Sequence, residues 1–242
     1  MSAVLIHGVP DTFRVWDAVI DQLSRKDVVA LALPGFDSAV PDGFTATKEE
    51  YVAWIIQQLE REPAPVDLVG HDWGCLLTAR VASLRPDLVR TWAGGGGPVN
   101  KDYLWHPLAK IFQTPGAGEK FLAELDPQRF SNQLEGLGVP SSYAIEAVQH
   151  MGDTMKQCIP KLYLSAVNVG AEWQPDLKNV SCRGLVLWGT RDDACPVEFA
   201  DLLAKDIGAS RVLKLDTGHW FELEKPAFVA RALDEHWAAT TS

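Results

Sequence analysis

Gly70-His71-Asp72-Trp73-Gly74 is the stretch on which the reading of this chain turns. It follows an apolar run, Val66-Asp67-Leu68-Val69, and precedes a helix-like stretch from Cys75 to Leu84. A strand, a tight glycine-flanked turn and a helix, in that order, make a nucleophile elbow. Glycines on both sides let the backbone turn sharply and let neighbouring elements approach, because they carry no Cβ. The residue between them is held at the tip, with its side chain pushed out of the sheet. Here it is an aspartate rather than the commoner serine, and that changes the chemistry. A carboxylate attacks without a base to activate it, but the ester it forms must then be hydrolysed. Glycine and aspartate are also common in ordinary turns, so the rest of the chain has to decide.

Outward from the elbow, short apolar runs recur. Ala3 to Ile6, Val28 to Leu33, Val66 to Val69, Val89 to Ala93, Leu185 to Trp188 and Val212 to Leu215 read as buried strands. Amphipathic segments lie between them. Trp16, Val19, Ile20 and Leu23 fall at helical spacing, and Val52, Ile55, Ile56 and Leu59 repeat it. Pro196 can open a helix carrying Phe199, Leu202 and Leu203, and Pro226 another carrying Val229, Leu233 and Trp237. Short apolar runs alternating with helices predict an α/β fold, a mostly parallel sheet covered on both faces.

The alternation stops after the fourth strand. Gly94-Gly95-Gly96-Gly97-Pro98 is a flexible exit, and strand-like sequence returns only at Leu185. The segment between is helix-biased and aromatic, with Trp105, Phe112, Phe121, Phe130, Tyr143, Tyr163 and Trp173. It is too long for a structureless loop. The expected division is a core of residues 1–97 and 181–242 with a helical cap, 98–180, over the carboxyl ends of the strands, where open α/β sheets bind ligands.

Length and composition fit one sizeable domain. A net charge of −10 argues against a nucleic acid or an anionic membrane as partner. Cys75, Cys158, Cys182 and Cys195 show no metal or disulfide spacing, so reduced thiols in a cytoplasmic setting are expected. No basic region precedes the first apolar run, which argues against a signal peptide, and no stretch reaches membrane-spanning length. Nothing calls for a cofactor or a metal. A monomer or homodimer acting on a small, apolar to moderately polar molecule is the expectation.

Three further stretches supply what an aspartate nucleophile needs. His7-Gly8-Val9-Pro10 follows the first strand, and the N–H groups of Val9 and Trp73 can form an oxyanion hole. Gly189-Thr190-Arg191-Asp192-Asp193 follows the fifth strand, and Thr217-Gly218-His219-Trp220 the sixth. Nucleophile, acid and histidine thus come in that chain order, at one end of the sheet. His7 and His71 read as structural, Cys75 as inert, and either acid can instead cap the helix opened by Pro196.

With these motifs the chain resembles an α/β-hydrolase of the aspartate-nucleophile branch, which includes epoxide hydrolases and haloalkane dehalogenases. The resemblance runs from His7-Gly8-Val9-Pro10 through the elbow to Gly218-His219, and the elbow with His71 and Trp73 is its most specific part. It implies that Asp72 is the nucleophile, that His219 activates water, and that Asp192 orients His219. Asp192 is preferred to Asp193 because Gly189, Asp192 and Pro196 match the family's spacing. The usual N-terminal strand pair is missing, which predicts a smaller sheet.

The cap should decide the leaving group. Tyr163, in Ile159-Pro160-Lys161-Leu162-Tyr163, resembles the cap tyrosine that protonates an opening epoxide, although Leu164 stands where that branch carries arginine. The position of the usual first tyrosine falls on Leu108, and His106 or Tyr103 can take its place. A dehalogenase needs two halide donors, for which Trp73 and Trp105 are the candidates. Epoxide hydrolysis therefore leads and dehalogenation comes second. Ester or lactone hydrolysis is a further alternative, as is a non-catalytic ligand-binding protein on the same fold.

Overall fold

Six strands form one sheet, and every neighbouring pair in it is parallel. They are β1 (Ala3–Ile6), β2 (Val28–Leu31), β3 (Val66–His71), β4 (Val89–Gly95), β5 (Arg183–Gly189) and β6 (Arg211–Leu215). The computed structural model describes residues 2–239. The strand order is β2-β1-β3-β4-β5-β6, so the winding reverses between β1 and β3. Ligands bind at such a reversal, outside the carboxyl ends of the strands. The His7 loop leaves β1 there and the elbow leaves β3.

The central strands β1, β3, β4 and β5 are almost wholly buried, as their apolar runs predict. The edge strands differ from expectation. β2 and β6 are only half-buried, because each has a sheet neighbour on one side alone, and β2 ends at Leu31 rather than Leu33. The first predicted helix also differs. A 3-10 turn, Phe13–Trp16, runs into one short helix, Asp17–Ile20, yet Trp16, Val19 and Leu23 are still buried. The helix expected to open at Pro196 begins at Glu198.

Asp67 sits within β3 with no exposure and is held by Arg25 at 2.6 Å, by Arg90 and by the Thr91 hydroxyl at 2.6 Å. Removing the Asp67 carboxylate takes the carboxylate partner from Arg90 and leaves Arg25 with Asp27, beside a buried Thr91 hydroxyl that has lost its acceptor. Asp67→Ala should therefore destabilise the fold by about 3–5 kcal/mol, read as a lower urea midpoint at unchanged slope.

Between β4 and β5 the chain is helical. The helices are Pro107–Phe112, Ala117–Ala123, Pro127–Gly136, Ser141–His150, Asp153–Ser165 and Val169–Trp173. Pro107 and Pro127 open two of them, each preceded by a side chain that accepts an otherwise unpaired N–H. Lys48 Nζ donates to the Ser165 carbonyl at 2.7 Å, and Arg80 pairs with Asp176 at 2.5 Å, tying this segment to the sheet's helices. All four cysteines are free thiols. Among the described residues no helix is long and apolar enough to cross a membrane.

Candidate active site

Asp72 lies between β3 and the helix Trp73–Leu84 at φ 51°, ψ −122°. A backbone so placed costs about 1–3 kcal/mol and persists only when its surroundings fix it. The Asp72 N–H donates to the Gly95 carbonyl at 3.0 Å, and the Asp72 carbonyl accepts from Cys75 N–H at 2.8 Å. Glycine is required on both sides. A Cβ on Gly70 would strike the carbonyl of Gly74, and one on Gly74 the carbonyl of Ile6. The Val9 N–H donates to Asp72 Oδ2 at 2.8 Å. Trp73 opens the following helix, where the first N–H groups have no intrahelical partner.

His219 follows β6 and Asp192 follows β5. His219 Nδ1 lies 2.8 Å from Asp192 Oδ2, and Nε2 lies 3.8 Å from Asp72 Oδ1. Asp192, not Asp193, is thus the acid against the histidine. Asp192 Oδ1 also accepts from the N–H groups of Ala194 and Cys195, at 3.0 and 2.8 Å. The Trp188 indole donates to the Cys195 carbonyl at 2.7 Å and pins the loop to the sheet. Burial penalises the Asp192 charge, but His219 and the Cys195 N–H outweigh it and hold the carboxyl below its usual value. Burial likewise opposes charge on His219, and Asp192 reverses this, raising the imidazole well above 6.5.

A second buried layer lies behind His219. His71 Nε2 donates to the His219 carbonyl at 2.9 Å. Its Nδ1 lies 2.8 Å from Glu222 Oε1, off the line of a hydrogen bond, and neither side chain is exposed. Burial works against a charge on His71, yet the Glu222 carboxylate raises its pKa. Asp11 accepts from the Trp220 indole at 3.0 Å and from the Tyr143 hydroxyl, also at 3.0 Å. Burial pushes the Asp11 carboxyl up to about 6. His7 is neutral and structural: burial lowers it to about 4, Nδ1 donates to the Gly8 carbonyl at 2.7 Å, and Nε2 accepts from Leu33 N–H.

These loops open on a cavity of about 390 Å³. Of the residues singled out in the sequence, Val9, Asp72, His106, Leu108, Tyr163, Asp192, Asp193 and His219 line it. Trp73 and Trp105 stand behind the wall. They stack on each other with ring centroids 5.8 Å apart and pack against Tyr163 at 5.1 and 5.6 Å. The Trp73 indole nitrogen is buried without a hydrogen-bond partner. Tyr103 is committed elsewhere, its hydroxyl donating to the Ala194 carbonyl at 2.8 Å.

His106 and Tyr163 differ from Tyr103 in what they leave free. His106 Nδ1 accepts from Ala109 N–H at 3.3 Å as a helix cap, so the ring hydrogen resides on Nε2. Burial lowers its pKa, favouring the neutral imidazole. Three of the four tyrosines, Tyr51, Tyr103 and Tyr143, donate their hydroxyls to fixed acceptors. Among the described residues Tyr163 donates to none. Burial first, and then the charge of Asp72, raise its hydroxyl well above the usual value, so it stays protonated.

Asp11, Tyr143 and Glu222 carried no signal in the sequence. Asp11 adjoins the His7-Gly8-Val9-Pro10 motif and Glu222 lies three residues past His219, but no spacing marks either. Their partners are 132, 209 and 151 positions away (143 − 11, 220 − 11 and 222 − 71).

The profile of the alpha/beta hydrolase family matches residues 3–232. Among curated proteins, the (E)-2-((N-methylformamido)methylene)succinate hydrolase of Acinetobacter baylyi is 26% identical over 98% of this chain and 90% of its own length. A malate-bound thermophilic esterase from Thermogutta terrifontis superposes with a TM-score of 0.80 at 21% identity, covering 100% of this chain and 91% of that one. A haloalkane dehalogenase from Bradyrhizobium elkani gives 0.79 at 20% identity, covering 99% and 90%. At these identities the two structures share the fold.

Proposed function

The chain belongs to the alpha/beta hydrolase family, and from that premise we propose that it hydrolyses epoxides to diols through a covalent ester on Asp72. The observation that carries this reading is the hydroxyl of Tyr163, which donates to no acceptor among the described residues and is held protonated on the wall of the cavity into which Asp72 opens. His106 adds a neutral Nε2–H on the same wall. An opening epoxide needs such donors, because its leaving oxygen stays on the substrate and must gain a proton.

Asp72 Oδ2 is held by the Val9 N–H and stays as the ester carbonyl oxygen, leaving Oδ1 to attack. Attack forms a C–O bond to one ring carbon and breaks that carbon's bond to the ring oxygen. Tyr163 protonates the released oxygen while His106 hydrogen-bonds it. His219 then takes a proton from water, and the resulting hydroxide adds to the carboxyl carbon of Asp72. The N–H groups of Val9 and Trp73 support the oxyanion. Collapse releases the diol and restores the aspartate, and the proton held by His219 returns to the Tyr163 oxygen through solvent.

Apolar side chains, among them Leu108, Phe112, Leu122, Leu134 and Met151, form the rest of the wall. Among the described residues the one lysine or arginine lining it, Arg191, is drawn to Asp216 at 2.8 Å and to Glu224. A neutral substrate with an apolar substituent fits such a cavity better than a carboxylate does. Dehalogenation is the second reading. The Trp73 indole is a halide donor of the right kind, but it lies behind Tyr163 and off the cavity wall, so a departing halide meets it only with Tyr163 displaced.

Purified protein assayed on styrene oxide, 1-bromobutane and p-nitrophenyl acetate separates these readings. Epoxide turnover should lead, and Tyr163→Phe should lower it by about a hundredfold while the fold survives the loss of one hydroxyl. Bromide release that exceeds diol formation, and that Tyr163→Phe leaves unchanged, would establish the dehalogenase instead.

A further inference from the structure

Cys195 has a thiol that the proposed reaction does not use, and it stands beside the two residues that reaction depends on. Asp192, Cys195 and His219 each offer one ligand atom, and the three atoms lie within 4.8 Å of one another. All three residues line the cavity. We propose that this trio binds one soft divalent cation of the Zn²⁺ class, and that its binding switches the hydrolase off.

Donor chemistry selects the ion. One sulfur, one imidazole nitrogen and one carboxylate oxygen suit Zn²⁺ or Cd²⁺, whereas Mg²⁺ and Ca²⁺ prefer oxygen alone. Zinc bonds of about 2.0–2.3 Å in a tetrahedron set the ligand atoms roughly 3.3–3.8 Å apart. A separation near the 4.8 Å limit therefore has to shorten by about an ångström. His219 Nδ1 and Asp192 Oδ2, 2.8 Å apart, have to part slightly if both coordinate. Three protein ligands leave a fourth position, which water from the cavity can fill. Access comes through the same opening that substrate uses.

The local structure favours the arrangement. Asp192 and Cys195 are already tied by the hydrogen bond between Cys195 N–H and Asp192 Oδ1, which a metal on Oδ2 leaves intact. The Cys195 sulfur lies 3.8 Å from the Tyr103 hydroxyl and faces the His219 imidazole. Coordination through sulfur releases the thiol proton to solvent. The cation then carries a thiolate, a carboxylate and a neutral imidazole.

Inhibition follows whichever nitrogen of His219 coordinates. A metal on Nε2 occupies the position that must receive a proton from water. A metal on Nδ1 displaces the hydrogen bond to Asp192 that orients the ring. Either way the base is lost, and the ester on Asp72 waits. The cation is a regulator here and takes no part in the reaction.

The test reads binding without substrate, so its outcome is independent of whether epoxides are the natural class. Purified protein is titrated with Cd²⁺ while the ultraviolet thiolate-to-cadmium band is followed, and with Zn²⁺ by calorimetry, using Mg²⁺ as a control. One equivalent should bind, with a thiolate band for Cd²⁺ and no heat for Mg²⁺. Cys195→Ala should abolish the band and weaken Zn²⁺ by more than the roughly tenfold that losing even an outer-shell partner costs. Cys195→Ser, nearly the same size, gives the same loss if the alanine variant folds poorly. With any active substrate, Zn²⁺ inhibition should be reversed by a chelator. Absence of a thiolate band in the wild type overturns the proposal, as does a band that persists in both Cys195 variants, which would place the site at Cys75, Cys158 or Cys182.

Discussion

Asp72→Asn should lower turnover on the order of a million-fold, the scale at which loss of a covalent nucleophile is felt. An amide is a poor nucleophile, while the elbow's backbone and the Val9 N–H are undisturbed. Intact mass must be followed alongside activity, because slow deamidation restores the aspartate and with it the rate. Isotope placement in the wild type tests the same point without mutation. In a single turnover in ¹⁸O-water with enzyme in excess, the diol should be mostly unlabelled and the peptide containing Asp72 should carry ¹⁸O. Both follow from attack by Oδ1 on carbon and of water on the carboxyl carbon. Label in the diol from the first turnover, with none in the peptide, would make Asp72 a base and remove the covalent step.

His219→Gln should separate the two half-reactions. Attack by Asp72 needs no base, so the ester still forms, but its hydrolysis should slow by roughly 10⁴- to 10⁶-fold. The accumulated adduct also identifies the leaving group. An epoxide adds its whole mass to the protein, since ring opening expels nothing. A haloalkane adds its mass less that of the hydrogen halide. In the wild type, only neutral His219 can take a proton from water. Asp192 outweighs the effect of burial and raises the histidine above 6.5, so ester hydrolysis should quicken as pH climbs through the range above that value. A variant that turns over normally, or a hydrolysis rate flat across that range, would remove His219 from the base's role.

The parts of this site legible in the sequence are those enforced by local geometry. The elbow could be read because its glycines are demanded by sterics within a few residues. The six strands could be read because parallel strands buried on both faces leave uninterrupted apolar runs, and the two half-buried edges, β2 and β6, are where that signal misled. The short helix near Trp16 obeyed the burial expected of its apolar residues while departing from their helical period, since packing against the core constrains side chains more than it does the backbone path. Spacing favoured Asp192 over Asp193, and the loop in which Asp192 bonds two backbone N–H groups and His219 together puts Asp192 against the histidine. Asp11, Tyr143 and Glu222 could not be read, because their contacts join distant stretches and neither a helical nor a strand period records them.

The division of labour in the cavity has an evolutionary consequence. Asp72, Asp192 and His219 stand on loops of the sheet, whereas the apolar wall from Leu108 to Met151 comes from the helices between β4 and β5. Those two strands are neighbours paired in parallel, with Thr91 opposite Arg183, so the chain leaves at the carboxyl end of β4 and crosses to the opposite end of the sheet before entering β5. Lengthening, shortening or exchanging the helices need not disturb a single strand pair. Selection on the apolar wall and selection on the nucleophile, acid and base therefore fall on different stretches of sequence, and Tyr163 and His106 are the two positions in the helical segment where they meet.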